Sequence, residues 1–433
     1  MMTNEPVLTL NTISDFGENL PATTTRVEAS SDSGPGEQPT PVDRWVLQKV
    51  LDYLGQPPIR IVLWNGEEFG STRETPVGRI LIHSRAALRR LLLRPRIEFG
   101  ETFRDGLLEV DGSLTQVLVA MFRSVVKRPR RGLLGRILSV GAVRHRSHSV
   151  HDSRDNVHHH YDIGNDFYWL WLDDQLLYTC AYYSRPDMTL EQAQIAKMDH
   201  ICRKLQLQPG QRVVEAGCGW GALALHMAKH FGVQVRAFNL SREQIAYARE
   251  RAGEEELDDR LEFVEDDYRN ISGQYDAFVS VGMLEHVGLA NYEMLGDLIS
   301  RVLTPSGRGL IHTIGRNVPR ALDPWIAKRI FPGAYPPTLR EMMDIFEPSG
   351  LSVLDVENLR LHYAQTLSHW LERYERNADA IIRMFDAEFY RTWRLYLAGS
   401  EATFLIGDLQ LFQVVFAREA DNSVPWTREH QYG

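Results

Sequence analysis

Glu215-Ala216-Gly217-Cys218-Gly219-Trp220-Gly221 is the densest chemical signal in this chain. It follows the apolar pair Val213-Val214 and precedes a helix-forming stretch that runs to Phe231. Glycines at 217 and 219 let backbone approach a bound molecule closely, and the helix start offers N–H groups to its polar end. A tight strand-to-helix turn in any doubly wound sheet would look similar. A dinucleotide site is the rival, but its fingerprint is G-x-G-x-x-G. Here the spacing is G-x-G-x-G, with an acid two residues before the first glycine. The next acceptor belongs at the end of the following strand, where ribose hydroxyls are held. Asn239 stands there instead of Asp or Glu, with Gln244 a neutral alternative one helical turn into the next helix.

Other reactive side chains read plainly when taken alone. His158-His159-His160 invites a metal, but adjacent histidines on one strand or helix point apart. No Cys/His spacing elsewhere resembles a zinc site, so no metal is expected. The three cysteines, Cys180, Cys202 and Cys218, are a low, odd count that fits a reducing compartment. Each by itself reads as a small packed residue.

The elements that position these residues can be read from spacing. Residues 1–42, rich in Ser, Thr, Pro and Gly, predict a disordered tail. Residues 43–122 predict a small N-terminal α/β domain: a helix near 45–54, strands at 59–64, 79–83 and 106–112, and a helix at 86–93 capped by Ser84 and stopped by Pro95. Residues 123–154 form a basic connector. Beyond 155 strands and helices alternate, which implies a parallel sheet covered on both faces. Capping boxes at Thr189/Gln192 and Ser241/Gln244 open two of its helices, the first with Ile195, Met198, Ile201, Cys202 and Leu205 on one face. Strands are expected at 212–215, 233–238, 261–264, 277–281 and 309–314, with closing strands at 351–356 and 411–416.

The G-x-G-x-G spacing with its preceding acid is the pattern of class I S-adenosylmethionine (SAM) methyltransferases. Further strings narrow the match: His159-His160-Tyr161-Asp162-Ile163-Gly164-Asn165-Asp166-Phe167-Tyr168, Tyr178-Thr179-Cys180-Ala181-Tyr182, Val281-Gly282-Met283-Leu284-Glu285-His286-Val287-Gly288, Ile311-His312-Thr313-Ile314-Gly315, and Leu361-His362-Tyr363-Ala364 with Thr366, Leu367 and Trp370. Together these resemble the cyclopropane-fatty-acyl-phospholipid synthases and the related mycolic acid cyclopropane synthases. The resemblance spans about 43–417 and is strongest from 155 to 375. It implies an α/β class I methyltransferase fold over 155–433, Rossmann-like, with a mostly parallel seven-stranded sheet and a helical acyl-binding lid at about 318–405. By the same resemblance Tyr178, Thr179, Gly217, Gly219, Asn239, Leu240 and Gln244 contact SAM. Glu215 belongs with that cofactor set, and Tyr268 and Arg269 lie near the adenine. The family also holds a bicarbonate ion, whose ligands match Cys180, Glu285, His312, Ile314 and Tyr363.

The chemistry implied is demanding. The SAM methyl is electrophilic, but an isolated alkene is a poor nucleophile, and its methylation leaves a carbocation on the acyl chain. The site must shield that cation, stabilise it and remove a proton. Aromatic faces can stabilise it, and Tyr161, Phe167, Tyr168, Trp169, Tyr178 and Tyr182 crowd the region before the glycine motif. A small anion oriented by Glu285, with His312 and Tyr363 as donors, could serve as base. The expected product is a cyclopropane ring on an unsaturated phospholipid chain. Loss of a different proton would give a methylene- or methyl-branched chain, and a small-molecule methyltransferase is the more distant alternative.

Composition bounds the partners. The chain has 433 residues, 43% apolar and 24% charged, with net charge −9, which disfavours a nucleic-acid binder. Charge is unevenly spread: residues 121–150 carry eight Arg or Lys and no acid, leaving −17 on the rest. That stretch is either a solvated linker or a contact for an anionic surface. No apolar run is long enough to span a bilayer, and no signal peptide is apparent. The expectation is therefore a cytoplasmic enzyme working peripherally on the inner face of the cell membrane, against anionic head groups, with a homodimer left open.

Overall fold

Val213 and Val214 face opposite sides of strand β5 (Arg212–Ala216), and both are fully buried. A strand apolar on both faces needs helices on both sides, and the large sheet is built that way. The structure, a computed structural model, describes residues 38–70, 75–126 and 163–432. The tail up to residue 37, the basic stretch from 127 and the string His158 to Asp162 lie outside the described residues.

The small N-terminal sheet has four strands, β1 (Arg60–Leu63), β2 (Glu68–Gly70), β3 (Gly78–Ile82) and β4 (Leu108–Gly112), in the order β2-β1-β3-β4. The β1–β3 pair is parallel and the others antiparallel. The three-residue β2 is too short to show a pattern in the sequence; it pairs back through the Asn65-Gly66 turn, where Gly66 has φ +86°. Thr40 caps helix α1 (Pro41–Leu54), so regular structure starts just inside the stretch expected as tail. Ser84 caps α2 (Arg85–Leu93) as expected. Pro95 does more than stop it: it sits at the start of α3 (Pro95–Arg104), where its missing N–H costs nothing. Helix α4 (Leu114–Val126) carries the chain into the basic stretch.

The large sheet has the order β10-β11-β9-β8-β5-β6-β7, with β6 (Gln234–Asn239), β7 (Leu261–Glu265), β8 (Tyr275–Val281), β9 (Leu303–Gly315), β10 (Leu351–Asn358) and β11 (Gln410–Arg418). Strands β9, β8, β5, β6 and β7 are parallel neighbours; β11 runs antiparallel between β9 and β10. Strand order reverses at β5, which pairs with β6 on one side and β8 on the other. Ligands of open α/β sheets bind at such a point, outside the carboxyl ends of the strands.

Helix α5 (Leu190–Leu205) forms with both halves of the Thr189/Gln192 capping box. Its inward face differs from the expected one. Ile195 is 47% exposed, while Lys197, His200 and Lys204 are buried beside Met198, Ile201 and Leu205. Helices α6 (Ala222–Phe231) and α7 (Arg242–Glu254) follow. The second capping box is only half made: Ser241 accepts from the Gln244 N–H, but the Gln244 side chain turns to Asn239. Near the end of the chain come the short helices α8 (Leu284–Val287) and α9 (Pro324–Arg329), then α10 (Arg360–Arg376) and α11 (Ala387–Leu405). The helix-rich stretch 318–405 is interrupted by β10, which belongs to the sheet. The small sheet's α3 meets this stretch directly. Arg329 grips Glu101 through two nitrogens, and the pair holds the Glu101 carboxyl down at about 2. A Cβ at Gly100 would meet the Trp325 indole at 2.4 Å.

Candidate active site

The glycine turn leaves β5 at the point of strand reversal. Gly217, Gly219 and Gly221 all have positive φ, +85°, +54° and +83°, a region that L side chains rarely occupy. Their surroundings separate their roles. A Cβ on Gly221 would strike Ala248 and Phe263 at 2.7 and 2.9 Å, so this glycine lets α7 and β7 pack closely. A Cβ on Gly219 would meet nothing within 4 Å, so that face is open to a ligand. A Cβ on Gly217 would come within 3.2 Å of Met283, beyond the end of β8.

Asn239, at the end of β6, spends its amide inside the protein. Its Nδ2 donates to Gly219 O (3.1 Å) and Gln244 Oε1 (2.7 Å), and its Oδ1 accepts from the Leu240 N–H (2.8 Å). It ties the glycine turn to the next loop. The polar atom left over is Gln244 Nε2, buried and without a hydrogen-bond partner among the described residues. The Tyr268 hydroxyl, past the end of β7, is likewise buried, and Arg269 lies over its ring. Glu215 is buried with Oε2 unpaired among the described residues, and burial pushes its carboxyl up to about 8. Lys197, itself pushed down to about 8 by burial, is the nearby charge that offsets it. Lys197 also donates to Thr179 Oγ1 (3.0 Å), while Gln194 donates to the Thr179 carbonyl (2.9 Å). These α5 side chains hold the segment carrying Tyr178, Thr179 and Cys180, and the buried face of α5 that contains them was not foreseen.

A second group gathers at the ends of β8 and β9. Glu285 Oε1 accepts from the Ile314 N–H (2.6 Å), and the Gly282 N–H donates to the His312 carbonyl (2.9 Å). The Ile314 amide thus ties the end of β9 to the Glu285 carboxylate. Two polar atoms of this group, Glu285 Oε2 and His312 Nε2, are buried without hydrogen-bond partners among the described residues. Burial pushes the Glu285 carboxyl up to about 7 and the His312 imidazole well down. Cys180 is buried; its thiol donates to Ala181 O (3.2 Å), and burial raises its pKa well above the usual thiol range. Tyr363 is buried against Phe404 and Trp370. The β7 end, with Tyr268, is four strand spacings from β9, roughly 19 Å. The predicted residues thus fall into two groups, one expected to hold the cofactor and one expected to serve proton transfer.

Rings line the region between the Tyr178 segment and helices α10 and α11. Tyr178 packs against Tyr168, Trp171 and Trp370 at 5.1 to 5.7 Å, and its hydroxyl meets that of Tyr396 on α11 (2.7 Å). Phe167 packs edge-on against Trp393. Trp169 differs from expectation: it is 44% exposed, with its edge toward Tyr247. Tyr182 stacks between His200 and His362, and Tyr161 lies outside the described residues. Among the described residues no group of His, Cys, Asp and Glu is arranged to hold a metal.

Known proteins match both the sheet and its motifs. A family profile described as mycolic acid cyclopropane synthetase matches residues 148–414, and a domain family of unknown function matches 46–127. The chain is 34% identical over 393 residues to a probable fatty acid methyltransferase of Pseudomonas putida, covering 87% of this chain and 96% of that protein. It is 41% identical over 266 residues to the cyclopropane-fatty-acyl-phospholipid synthase of Escherichia coli strain K12, covering 61% of this chain and 68% of that protein. Among solved structures, the mycolic acid cyclopropane synthase CmaA1 in complex with SAH and CTAB aligns with a TM-score of 0.58 and 32% identity, over 61% of this chain and 97% of that one. With that fold, an open glycine cradle and a buried Glu285–Ile314 contact, this chain belongs to the mycolic acid cyclopropane synthetase family and is a SAM-dependent methyltransferase.

Proposed function

We propose that the enzyme methylates a double bond in an unsaturated acyl chain of a membrane phospholipid and closes a cyclopropane ring. The observation that carries this reading is the pair of orphaned buried atoms, Glu285 Oε2 and His312 Nε2, at the ends of adjacent strands. A buried polar atom without a partner is costly unless a ligand supplies one. A carboxylate oxygen and a ring nitrogen together suit a small oxyanion that can both donate and accept. A bound bicarbonate would supply a general base there. Glu285 and His312 are the residues that would hold it, with the Cys180 thiol and the Tyr363 phenol the remaining candidates from the family pattern.

The residues of this chain have separable tasks in that reading. Gly219 leaves room for SAM, and Gln244 Nε2 is the donor available to its ribose. The rings of Tyr168, Trp171, Tyr178 and Trp370 exclude water and face developing positive charge. Glu285 keeps negative charge near the carbon that loses a proton. A carboxyl whose pKa lies at about 7 suits a group poised for proton transfer at neutral pH.

Among the described residues no helix is long and apolar enough to cross a membrane. A substrate chain that lies in a bilayer must then be taken from the surface, and the basic stretch 121–150 suits anionic head groups. A second reading keeps the first step and yields a methylene- or methyl-branched chain; a Mycobacterium tuberculosis relative, 34% identical over 391 residues, is named for tuberculostearic acid, a methyl-branched acid, and favours it. Lipids from cells expressing the protein decide between them. Mass spectrometry should show unsaturated chains gaining one CH2 unit, and NMR of the product should show ring protons. Olefinic methylene or branched-methyl signals would replace the first reading with the second.

A further inference from the structure

Strand register places three polar residues in one row. His312 on β9 lies directly opposite Gln413 on β11, and Gln413 lies directly opposite Glu357 on β10. Residues directly opposite across a ladder project from the same face. Helix α5 covers that face with Lys204 and His200. Lys204 Nζ donates to Gln413 Oε1 (2.7 Å) and to Glu357 Oε2, and His200 Nε2 lies 2.7 Å from the same Glu357 oxygen. Gln413 Nε2 in turn lies 3.0 Å from His312 Nδ1. Lys204, Gln413 and His312 are all almost completely buried.

We propose that Gln413, oriented by Lys204, is a positioning residue that fixes His312 with its proton on Nε2. The argument is one of donors and acceptors. An ammonium only donates, so the Gln413 oxygen must face Lys204. The Gln413 NH2 then faces His312 and can only donate, so Nδ1 must be bare. Burial, reinforced by the charges of Lys197 and Lys204, keeps the ring neutral. A neutral imidazole with a bare Nδ1 carries its proton on Nε2. Nε2 is the atom without a partner, so the network presents a hydrogen-bond donor to whatever occupies the site. Glu357, held ionised by His200 and Lys204 with its carboxyl down at about 2, balances the lysine charge and anchors the row. The inference deepens the proposed function and rests on its placing of His312 beside the reacting centre.

The test is nitrogen NMR of the full chain with labelled histidine, His312 being assigned from the signal lost in His312→Asn. Wild type should show a protonated Nε2 and a bare Nδ1 near neutral pH. Gln413→Glu puts an acceptor opposite Nδ1. It should move the proton to Nδ1 and lower turnover by about 10–100-fold, the usual effect of a residue that orients another, with SAM affinity unchanged by calorimetry. Lys204→Met frees the amide to turn and should give a mixture of both tautomers; it serves if Gln413→Glu does not fold. Wild type with its proton on Nδ1, or a Gln413→Glu protein with the wild-type tautomer, overturns the proposal. If the proton moves as expected and turnover does not fall, the positioning stands and the catalytic placing of His312 fails.

Discussion

The two halves of the site are built from different materials. At the ends of β5, β6 and β7 the chain relies mostly on backbone shape and neutral amides, with one buried charge pair, Glu215 and Lys197, beneath them: Gly217 and Gly219 lie at positive φ, Asn239 bridges the loops, and Gln244 offers an Nε2 with no partner among the described residues. At the ends of β8 and β9 it uses buried titratable groups. Glu285 is pushed up and His312 down, with Gln413, Lys204 and Glu357 in a row behind His312. The difference follows from the tasks. Holding a cofactor needs shape and hydrogen bonds. Moving a proton needs groups whose charge state is set by burial.

If the halves are separable, damage to each should read out differently. The largest effect belongs to Glu285→Gln, which keeps shape and removes charge. Turnover should fall roughly 10²–10⁴-fold, the range for a positioned proton-transfer group. The basic stretch comes next. Neutralising Lys127, Arg128, Arg130 and Arg131 removes about 1 kcal/mol of attraction per residue near an anionic surface. Co-sedimentation with anionic vesicles should weaken and lose salt dependence, while the rate on detergent-dispersed lipid should hold. Wild-type binding that does not fall from low to high salt would leave the stretch as a linker. Gly219→Val puts a branched side chain at φ +54° and into the open cradle. Overfilling a packed contact costs about 1–3 kcal/mol, and here that cost falls on the SAM-bound state alone, so SAM affinity by calorimetry should weaken at least about fivefold. A folded variant with unchanged affinity would remove Gly219 from the cofactor half.

The smallest effect is on stability. Glu215 has its carboxyl raised to about 8 by burial. As pH climbs from the ordinary carboxylate range toward 8, the unfolded chain ionises this group and the folded chain resists, so folding loses stability through that window. Glu215→Gln removes the loss. Without SAM, its melting temperature should exceed that of wild type by about a few degrees at pH 8 and match it at pH 4. Equal melting curves at both pH values would mean that Glu215 is better solvated than its burial implies.

The cofactor half was the more legible in the sequence, because its signals are contiguous. Five residues, 217 to 221, carry three of its glycines, and 239 to 244 carry its amides. Even there the division of labour was hidden. Asn239 stands where a ligand acceptor is expected and also ties the glycine turn to the next loop, while Gly221 lets α7 and β7 pack closely. The proton-transfer half was legible only as far as the family strings reached. Gln413 is 101 positions from His312, and only strand register puts them side by side. Lys197 and Lys204 were hidden for another reason. Lysines on a helix normally mark its wet face, but Lys204 turns inward to meet Glu357 and Gln413 on the sheet, and Lys197 turns inward to the Thr179 hydroxyl and the nearby Asp173 and Glu215 carboxyls. Ile195 is left exposed on the same helix.

Separability itself is tested most directly by measuring, on Glu285→Gln, both the calorimetric affinity for SAM and the single-turnover rate on lipid at saturating SAM. The predicted result is an affinity close to wild type with a rate per bound complex lower by roughly 10²–10⁴-fold. Collapsed affinity with a normal rate per bound complex would contradict the account and move Glu285 to the cofactor half.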